Sequence, residues 1–493
     1  MAEEIIISVS PHETRVAVVE QGLLQEIFIE RNHTRGTVGN IYRGKVARVL
    51  PGMQSAFVDI GQPRAAFMHI TDLVDSHDAV PRNRESQEYP PINKILHDGK
   101  EILIQVSKEP ISTKGARATA SISLASRYLV YMPETSHIGI SQRIEDESER
   151  TRLTDILNKV HKPDDGDGFI VRTASERADG DEILRDAELL RSRWEVIKKD
   201  SVSVKAPSLV YDDLPLHLRV MRDIINKDTL RIVVDNQAIF EVLQRFLQDF
   251  IPEKESQLEM AKSGVPLFDA HNLEDQIEAA LQQKVPLKSG GYLIIDQTEA
   301  MTTVDVNTGA FVGRKDLEDT IYRTNLEAAA VIPRQLRLRN MGGIVIIDFI
   351  DMLNEEHKRQ VLRTLEKGQQ TDRVKWNITE ISELGLVEMT RKRTHESLLK
   401  MMCEPCSHCA GRGFIKTAET VCLEIIREIK RRALHLKEKD CLIMASQTVV
   451  DRLIDEESSS VAELATTLNS LIRFQVETSY TQEQFDVVLL NTA

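Results

Sequence analysis

Two aspartates, Asp305 and Asp348, end strand-like runs and are the residues best placed to hold a metal ion. In Thr303-Val304-Asp305-Val306-Asn307, a period of two sets Thr303, Asp305 and Asn307 on one face and the valines on the other. Asp305 and Asn307 therefore point together. The run Ile344-Val345-Ile346-Ile347-Asp348-Phe349-Ile350 is apolar on both faces, as a central strand should be, until it meets Asp348. A carboxylate there is costly unless paired or bound to a cation. Two aspartates at adjacent strand ends, with an amide beside one, make a hard oxygen site suited to magnesium. Such a cation polarises a phosphodiester and lowers the pKa of an attacking water. The structural alternative is that Asp348 caps the next helix or pairs with an arginine. Asp351, on the opposite face, fits that role better.

A second constellation is Cys406-Ser407-His408-Cys409-Ala410-Gly411-Arg412-Gly413, a C-x-x-C pair followed by glycines that let the backbone turn around an ion. Zinc takes four ligands. Cys403 precedes Cys406 at the same spacing, but the two pairs share Cys406. Either Cys403 and His408 complete the site locally, or two chains supply two cysteines each and zinc clasps a dimer. A redox pair is a further alternative, without the βαβ setting expected of one.

These residues need a scaffold. A chain of 493 residues predicts three or four domains. The hydrophobic content of 41% and charged content of 28% are those of a folded globular chain. The longest apolar run, residues 343–347, is too short to cross a bilayer. The acidic start, Met-Ala-Glu-Glu, lacks the layout of a secretory signal, which places the protein in the cytoplasm. Five cysteines in so long a chain make no disulfide framework. A net charge of -14 argues against a protein that coats nucleic acid, though not against local basic grooves.

Residues 5–30 alternate around a turn at Gln21-Gly22, which predicts a small antiparallel sheet that is not a whole domain. From Val38, about five short strands and a long loop at 75–93 suit a small closed barrel. Phe57 and Phe67 lie on successive barrel strands, with Lys45, Arg64, Lys108 and Lys114 available for phosphates. Barrel geometry alone favours both rings filling the core. Residues 120–205 form a second compact piece, with a strand at 169–173 and a charged helix at 181–199 that presents a solvated face. The strand at 230–234 could complete the N-terminal sheet, making the barrel an insertion.

Residues 285–400 predict an α/β unit: a hairpin (291–305), a long helix (317–339) containing Pro333, a buried strand (343–349), and a helix with Asn354 as N-cap and Gly368 as stop. Pro333 should bend the long helix or break a hydrogen bond. Arg334, Arg337, Arg339 and the Arg391-Lys392-Arg393 run would supply positive charge near the carboxylates, although basic helix ends also answer the helix dipole. A helix at 418–436 and a tail of helices and short strands follow.

The runs Thr303-Val304-Asp305-Val306-Asn307-Thr308-Gly309, Asn325-Leu326-Glu327-Ala328-Ala329, Arg334-Gln335-Leu336-Arg337-Leu338-Arg339, Gly342-Gly343-Ile344-Val345-Ile346-Ile347-Asp348-Phe349-Ile350-Asp351-Met352 and the cysteine knuckle together resemble the ribonuclease E and G family over nearly the whole chain. The lack of a long C-terminal scaffold brings the sequence nearer the shorter branch of that family. The resemblance implies a multidomain α/β protein. Its parts would be a ribonuclease H-like scaffold (1–37 and 214–280) split by an S1 barrel (38–119) and a 5′ sensor (120–213), then a DNase I-like catalytic domain (281–399), a zinc link (400–414) and a small α/β domain (415–493).

The resemblance further implies that Asp305 and Asp348 bind magnesium, that Asn307 orients the site, and that the fragments carry a 5′ phosphate and a 3′ hydroxyl. Cys406 and Cys409 would hold a zinc shared between two chains, leaving Cys403 spare, in a homodimer that could associate further. Phe57, Phe67 and Lys114 match positions that hold RNA, against the core-filling expectation. Arg172, Thr173 and Val130 match a pocket for a 5′ monophosphate. Ser126 stands where a glycine lies in ribonuclease E, and Pro333 where a small helix former is usual. The implied substrates are single-stranded, AU-rich RNAs, including precursors of small-subunit ribosomal RNA and messengers. Two other classes stay open on the residues alone: a non-catalytic RNA-binding scaffold and a phosphoesterase acting on DNA.

Overall fold

A computed structural model describes residues 3–32, 36–73, 90–109, 115–133, 135–159, 161, 167–262, 264–309, 317–370, 372–382, 384–393, 395–433 and 439–491. Lys114 lies outside them. The chain forms two units, Met1–Met401 and Met402–Ala493.

In the first unit, the strands Glu3–Val9, Glu13–Glu20 and Leu23–Arg31 form an antiparallel meander. Gln21 and Gly22 both have positive φ (52° and 76°), as a two-residue turn matched to strand twist requires. The strand Thr229–Val234 lies parallel to Glu3–Val9, with Leu258–Met260 beyond it. Two distant stretches of chain therefore share one sheet, and the barrel lies between them in sequence. Ile5 and Ile7 pack on the helices Leu216–Asp223 and Gln237–Phe250, while Ile6 packs on the side of Leu273–Leu281. Burial on both faces explains the unbroken run of isoleucines.

The barrel comprises Ile41–Leu50, Ser55–Asp59, Ala66–His69, Glu101–Lys108 and Arg117–Thr119, closed by pairing of the first with Glu101–Lys108. Its core takes Ala56, Val58, Ala66 and Met68. Strand alternation then sends Phe57 and Phe67 outward. The core-filling expectation is corrected: small and flexible residues occupy the inward slots, and the two rings stand half-buried on the outside.

The four strands Leu124–Ala125, Leu129–Pro133, Ile138–Ile140 and Asp167–Val171 make a separate sheet. The Gly180–Ser203 helix packs on it through Ile183, Leu190 and Trp194. That helix is not charged only toward solvent, because Asp186 is buried.

The last sheet of this unit has the order Lys284–Pro286, Tyr292–Gln297, Met301–Asn307, Gly343–Asp348, Leu386–Arg391, Trp376–Ile381. The helices Leu317–Leu338 and Glu355–Gln369 both pack on one face, where Val304, Val306, Val345 and Ile347 meet Ile332, Leu336, Val361 and Leu365. The opposite face is open and carries Thr303, Asp305, Asn307, Ile344, Ile346 and Asp348. Ile344 is 47% exposed. The expectation of a strand buried on both faces is thus corrected, since both helices lie on the same side.

The basic residues are also relocated. Arg391 is buried and bonds Asp372 at 2.7 Å, while Trp376 Nε1 donates to the same carboxylate at 2.7 Å. Arg391 pairs with Gly343, the first residue of the strand that ends at Asp348. Five residues at about 3.3 Å each separate them. Arg334 donates to Leu24 O (3.2 Å) and Arg337 to Gln25 Oε1, tying the helix to the N-terminal sheet rather than to the carboxylates.

Pro333 lies within one continuous helix. Gly368 is not a stop, because its helix runs on to Gln369. A Cβ on Gly368 would fall 2.4 Å from Pro333 Cγ, so the glycine admits the proline ring of the neighbouring helix. An exposed mid-helix Gly→Ala change stabilises by about 1 kcal/mol. Here Gly368→Ala is expected to destabilise by about 1–3 kcal/mol through overpacking, and Pro333→Ala should relieve most of that loss. Urea unfolding of the two single variants and the double variant measures it; additive effects would refute the contact.

In the second unit, the helix Ala418–Ala433 packs on a sheet of order Ile472–Val476, Lys439–Ala445, Phe485–Asn491. Cys422 and Cys441 are buried there as small apolar residues. Lys439–Ala445 and Ile472–Val476 are parallel, joined through the helices Gln447–Ile454 and Ser458–Leu468. A crossover unit is therefore present, but downstream of the paired cysteines. Among the described residues, no helix is long and apolar enough to cross a membrane.

Candidate active site

Asp305 and Asp348 are direct partners in the parallel ladder between Met301–Asn307 and Gly343–Asp348. Neighbouring strands lie about 4.8 Å apart, so the two carboxylates stand side by side on the open face. Asn307 Nδ2 donates to Asp305 Oδ2 at 2.8 Å. No ion pair among the described residues engages either aspartate. Partial desolvation, then the charges of Asp305 and Asp351, push the Asp348 carboxyl above its usual range.

Asp351 is therefore not separated from the pair as alternation suggested. The strand ends at Asp348, and the chain leaves the pleat before Asp351. Nor does Asp348 cap a helix: Asn354 does, accepting from Glu356 N at 2.8 Å. Unneutralised, mutually repelling carboxylates fit a divalent cation. No group of three or more His, Cys, Asp or Glu side chains gathers as a metal cage among the described residues. Two carboxylates suit magnesium, which keeps several waters and takes few protein ligands.

Asn325 positions this site, and sequence reasoning missed its role. Its side chain, fully buried in the Leu317–Leu338 helix, donates to Ile350 O (2.7 Å) and accepts from Ile350 N (3.1 Å). The amide acts as a strand partner for the segment just beyond Asp348. The available signal was a polar residue within the buried face of an apolar helix. Asn325→Ala would orphan both groups of Ile350, costing about 1–3 kcal/mol. If the aspartate pair is a catalytic centre, kcat should fall at least about tenfold, as this is the rate equivalent of 1.4 kcal/mol, with little change in KM for its substrate. A rise in KM at unchanged kcat would contradict a positioning role.

On the barrel, Phe57 and Phe67 are cross-strand partners, with ring centroids 5.8 Å apart at 66°. Lys45 and Lys108 are exposed. In the 124–203 region, Val130 pairs with Ile170, and Arg172 N donates to Tyr128 O, which brings Val130, Arg172 and Thr173 to one sheet end. The Arg172 guanidinium donates to Ser126 O (2.5 Å) and Asp223 Oδ1 (2.6 Å). Thr173 Oγ1 shares a 3.1 Å hydrogen bond with Ser141 Oγ. Ser126 Oγ is turned to the buried Asp186 carboxylate, which also accepts from Tyr128 N and Leu129 N at 3.1 Å each.

In the second unit, Cys403 and Cys406 are exposed and Cys409 partly so. Backbone N–H groups of Gly413 and Gly411, then Cys406 and Arg412, hold the Cys409 thiol below its usual pKa. Gly411 and Gly413 have φ of 82° and 79°, which glycine adopts without strain. This loop fits a thiolate ligand of zinc. Cys403 and His408 do not gather with the pair into a larger ligand set.

A family model described as the Ribonuclease E/G family matches residues 123–394, and one described as the RNase E/G thioredoxin-like domain matches residues 405–490. The chain is 49% identical over 492 residues to ribonuclease G of Escherichia coli K12, covering 99% of this chain and 100% of that protein. It is 46% identical over 491 residues to ribonuclease G of Haemophilus influenzae, with the same coverage. It is 35% identical over 468 residues to ribonuclease E of Escherichia coli K12, covering 94% of this chain and 44% of that protein.

Proposed function

The chain belongs to the ribonuclease E/G family, and from that premise we propose that it is a magnesium-dependent endoribonuclease that cuts single-stranded RNA. The observation that carries this reading is the Asp305–Asp348 pair, side by side, unneutralised and accessible on an open sheet face. Asp305 and Asp348 would hold the cation, and Asn307 fixes the orientation of Asp305. When bound, magnesium polarises the scissile phosphodiester and favours ionisation of water. Water attack on phosphorus then leaves a 5′ phosphate and a 3′ hydroxyl. A non-catalytic RNA-binding scaffold leaves the repelling carboxylates without a role.

In this reading, the meander with its returning strand is the ribonuclease H-like scaffold, the closed barrel is the S1 domain, and residues 120–213 sense the 5′ end. Residues 281–399 form the DNase I-like catalytic domain. The outward Phe57–Phe67 pair offers aromatic faces for base stacking, worth about 1–3 kcal/mol per base. The substrates are AU-rich RNAs, with roles in maturing the 5′ end of small-subunit ribosomal RNA and in messenger decay. The enzyme acts in the cytoplasm as a homodimer joined through zinc at Cys406 and Cys409.

The sensor is tested by cleaving one RNA with a 5′ monophosphate or a 5′ hydroxyl. The guanidinium of Arg172 suits a phosphate fork, and an arriving phosphate would share it with Asp223. We expect faster cleavage of the monophosphate form, with Arg172→Ala removing most of the difference and leaving the hydroxyl rate unchanged. Indifference of the parent enzyme to the 5′ group would rule the sensor out.

A further inference from the structure

Lys284 Nζ lies 3.9 Å from the centroid of the Tyr292 ring. The two residues sit on the first two strands of the sheet that carries the aspartate pair, where Lys284 pairs with Ile294 and Pro286 with Tyr292. Ile294 in turn pairs with Asp305, and Tyr292 with Asn307. Cross-strand partners point to one face, so Lys284 and Tyr292 share the open face with Asp305, Asn307 and Asp348. One ladder row therefore runs Lys284, Ile294, Asp305, Asp348.

That face is acidic. From the Lys284–Pro286 strand to the Gly343–Asp348 strand it carries Asp296, Asp305 and Asp348, and Lys284 is its one cation among the described residues. Lys284 is exposed and takes part in no ion pair among the described residues. Its ammonium leans over Tyr292 and away from Asp296, whose Oδ1 is engaged by Gln283 Nε2 (2.7 Å). The ring is itself fixed. A Cβ on Gly309 would fall 3.3 Å from Tyr292 Cδ1, so the chain leaving the Met301–Asn307 strand passes against it. A cation–π contact holds an ammonium in place without neutralising its charge.

We propose that Lys284 binds a backbone phosphate of the RNA, on the Tyr292 side of the aspartate pair. This rests on the RNA-cleaving reading of that pair. Two strand spacings put Lys284 about 10 Å from Asp305. A stacked nucleic-acid strand advances about 3.4 Å per phosphate, so the bound phosphate lies within about three nucleotides of the cut. The aspartates answer the scissile phosphate through their cation, whereas a flanking phosphate on this acidic face needs a positive charge of its own, which Lys284 supplies. Tyr292 is a positioning residue that keeps the ammonium over its ring. A phosphate contact of this kind sets register and carries no base preference.

The experiment follows steady-state cleavage of single-stranded oligonucleotides by the full chain in magnesium, at several salt concentrations. Lys284→Met should raise KM about three- to tenfold, equally for different sequences and at unchanged kcat, as expected for loss of uniform binding. The slope of log KM against log salt should fall by about 0.7, the value for one phosphate contact on a single strand. Lys284→Arg should keep the parent's values, and Tyr292→Leu should raise KM by part of the same amount. Lys367→Met removes an equal charge from an exposed position on the Glu355–Gln369 helix, which covers the other face, and should change neither KM nor slope. A parent that cuts RNA while Lys284→Met matches it, or while Lys284→Met and Lys367→Met shift KM alike, would overturn this inference and leave the proposed function standing. A fall in kcat at unchanged KM in Lys284→Met would overturn it too. A parent that does not cut RNA would overturn the proposed function and this inference together.

Discussion

Asp348→Asn is expected to lower the rate of RNA cleavage by at least about 100-fold, since cation stabilisation of a phosphoryl transition state is worth several kcal/mol. The metal-free variant should be at least as stable as the parent. The sign follows from the raised pKa of Asp348. A carboxyl whose folded pKa lies above its unfolded value stabilises the fold below the unfolded pKa. That contribution is lost as pH rises through the folded value. At neutral pH the charged Asp348 is therefore a net cost, from desolvation and from repulsion by Asp305 and Asp351, and the neutral amide removes it. Asp305→Asn should lose cleavage to a similar extent.

Magnesium should raise the melting temperature of the parent and have little effect on either variant, because only the parent offers both carboxylates. The assay uses a single-stranded oligonucleotide, with unfolding followed in chelator and in magnesium. Full cleavage by either folded variant would sink the proposed mechanism. A large loss of stability in metal-free Asp348→Asn would show instead that the carboxylate is structural.

The aspartate pair was legible because strand alternation is a local property. Val304 and Val306 face the helices, so Asp305 and Asn307 had to face away. What the sequence could not tell was which face of the sheet the helices would cover. Ile344 and Ile346 look like core residues until both helices are seen on the other side. The same limit applies to Phe57 and Phe67: a period of two separates them from Ala56 and Met68 but does not say which set points inward. Gly368 failed differently. Its position near a helix end mimics a C-cap, and only the approach of Pro333 from a neighbouring helix shows why a glycine stands there. Arg334, Arg337, Arg339 and Arg391 misled because charged residues usually face solvent. Here they tie elements together, Arg339 by donating to Gln282 O.

The cysteine knuckle carries the other large expected effect. Zinc prefers four ligands, and the loop around Cys406 and Cys409 offers two thiols. The purified protein should therefore contain about half an equivalent of zinc per chain. Cys409 is the thiol whose ionisation the backbone favours, through the N–H groups of Gly413 and Gly411. Structural zinc is worth on the order of 10 kcal/mol of binding free energy, so in the proposed shared site losing one thiolate per chain would remove most of what joins two copies. Cys406→Ser or Cys409→Ser should abolish zinc content and shift the protein from dimer to monomer in sedimentation. Cys403→Ser should change neither. The separate core of the Met402–Ala493 unit, built on Val421, Ile425, Ile443 and Val449, should keep each monomer folded. Loss of the dimer can then be told apart from loss of the fold by its unchanged unfolding transition. A full equivalent of zinc in a monomeric parent would mean that the remaining ligands come from the same chain, and the shared site would be wrong.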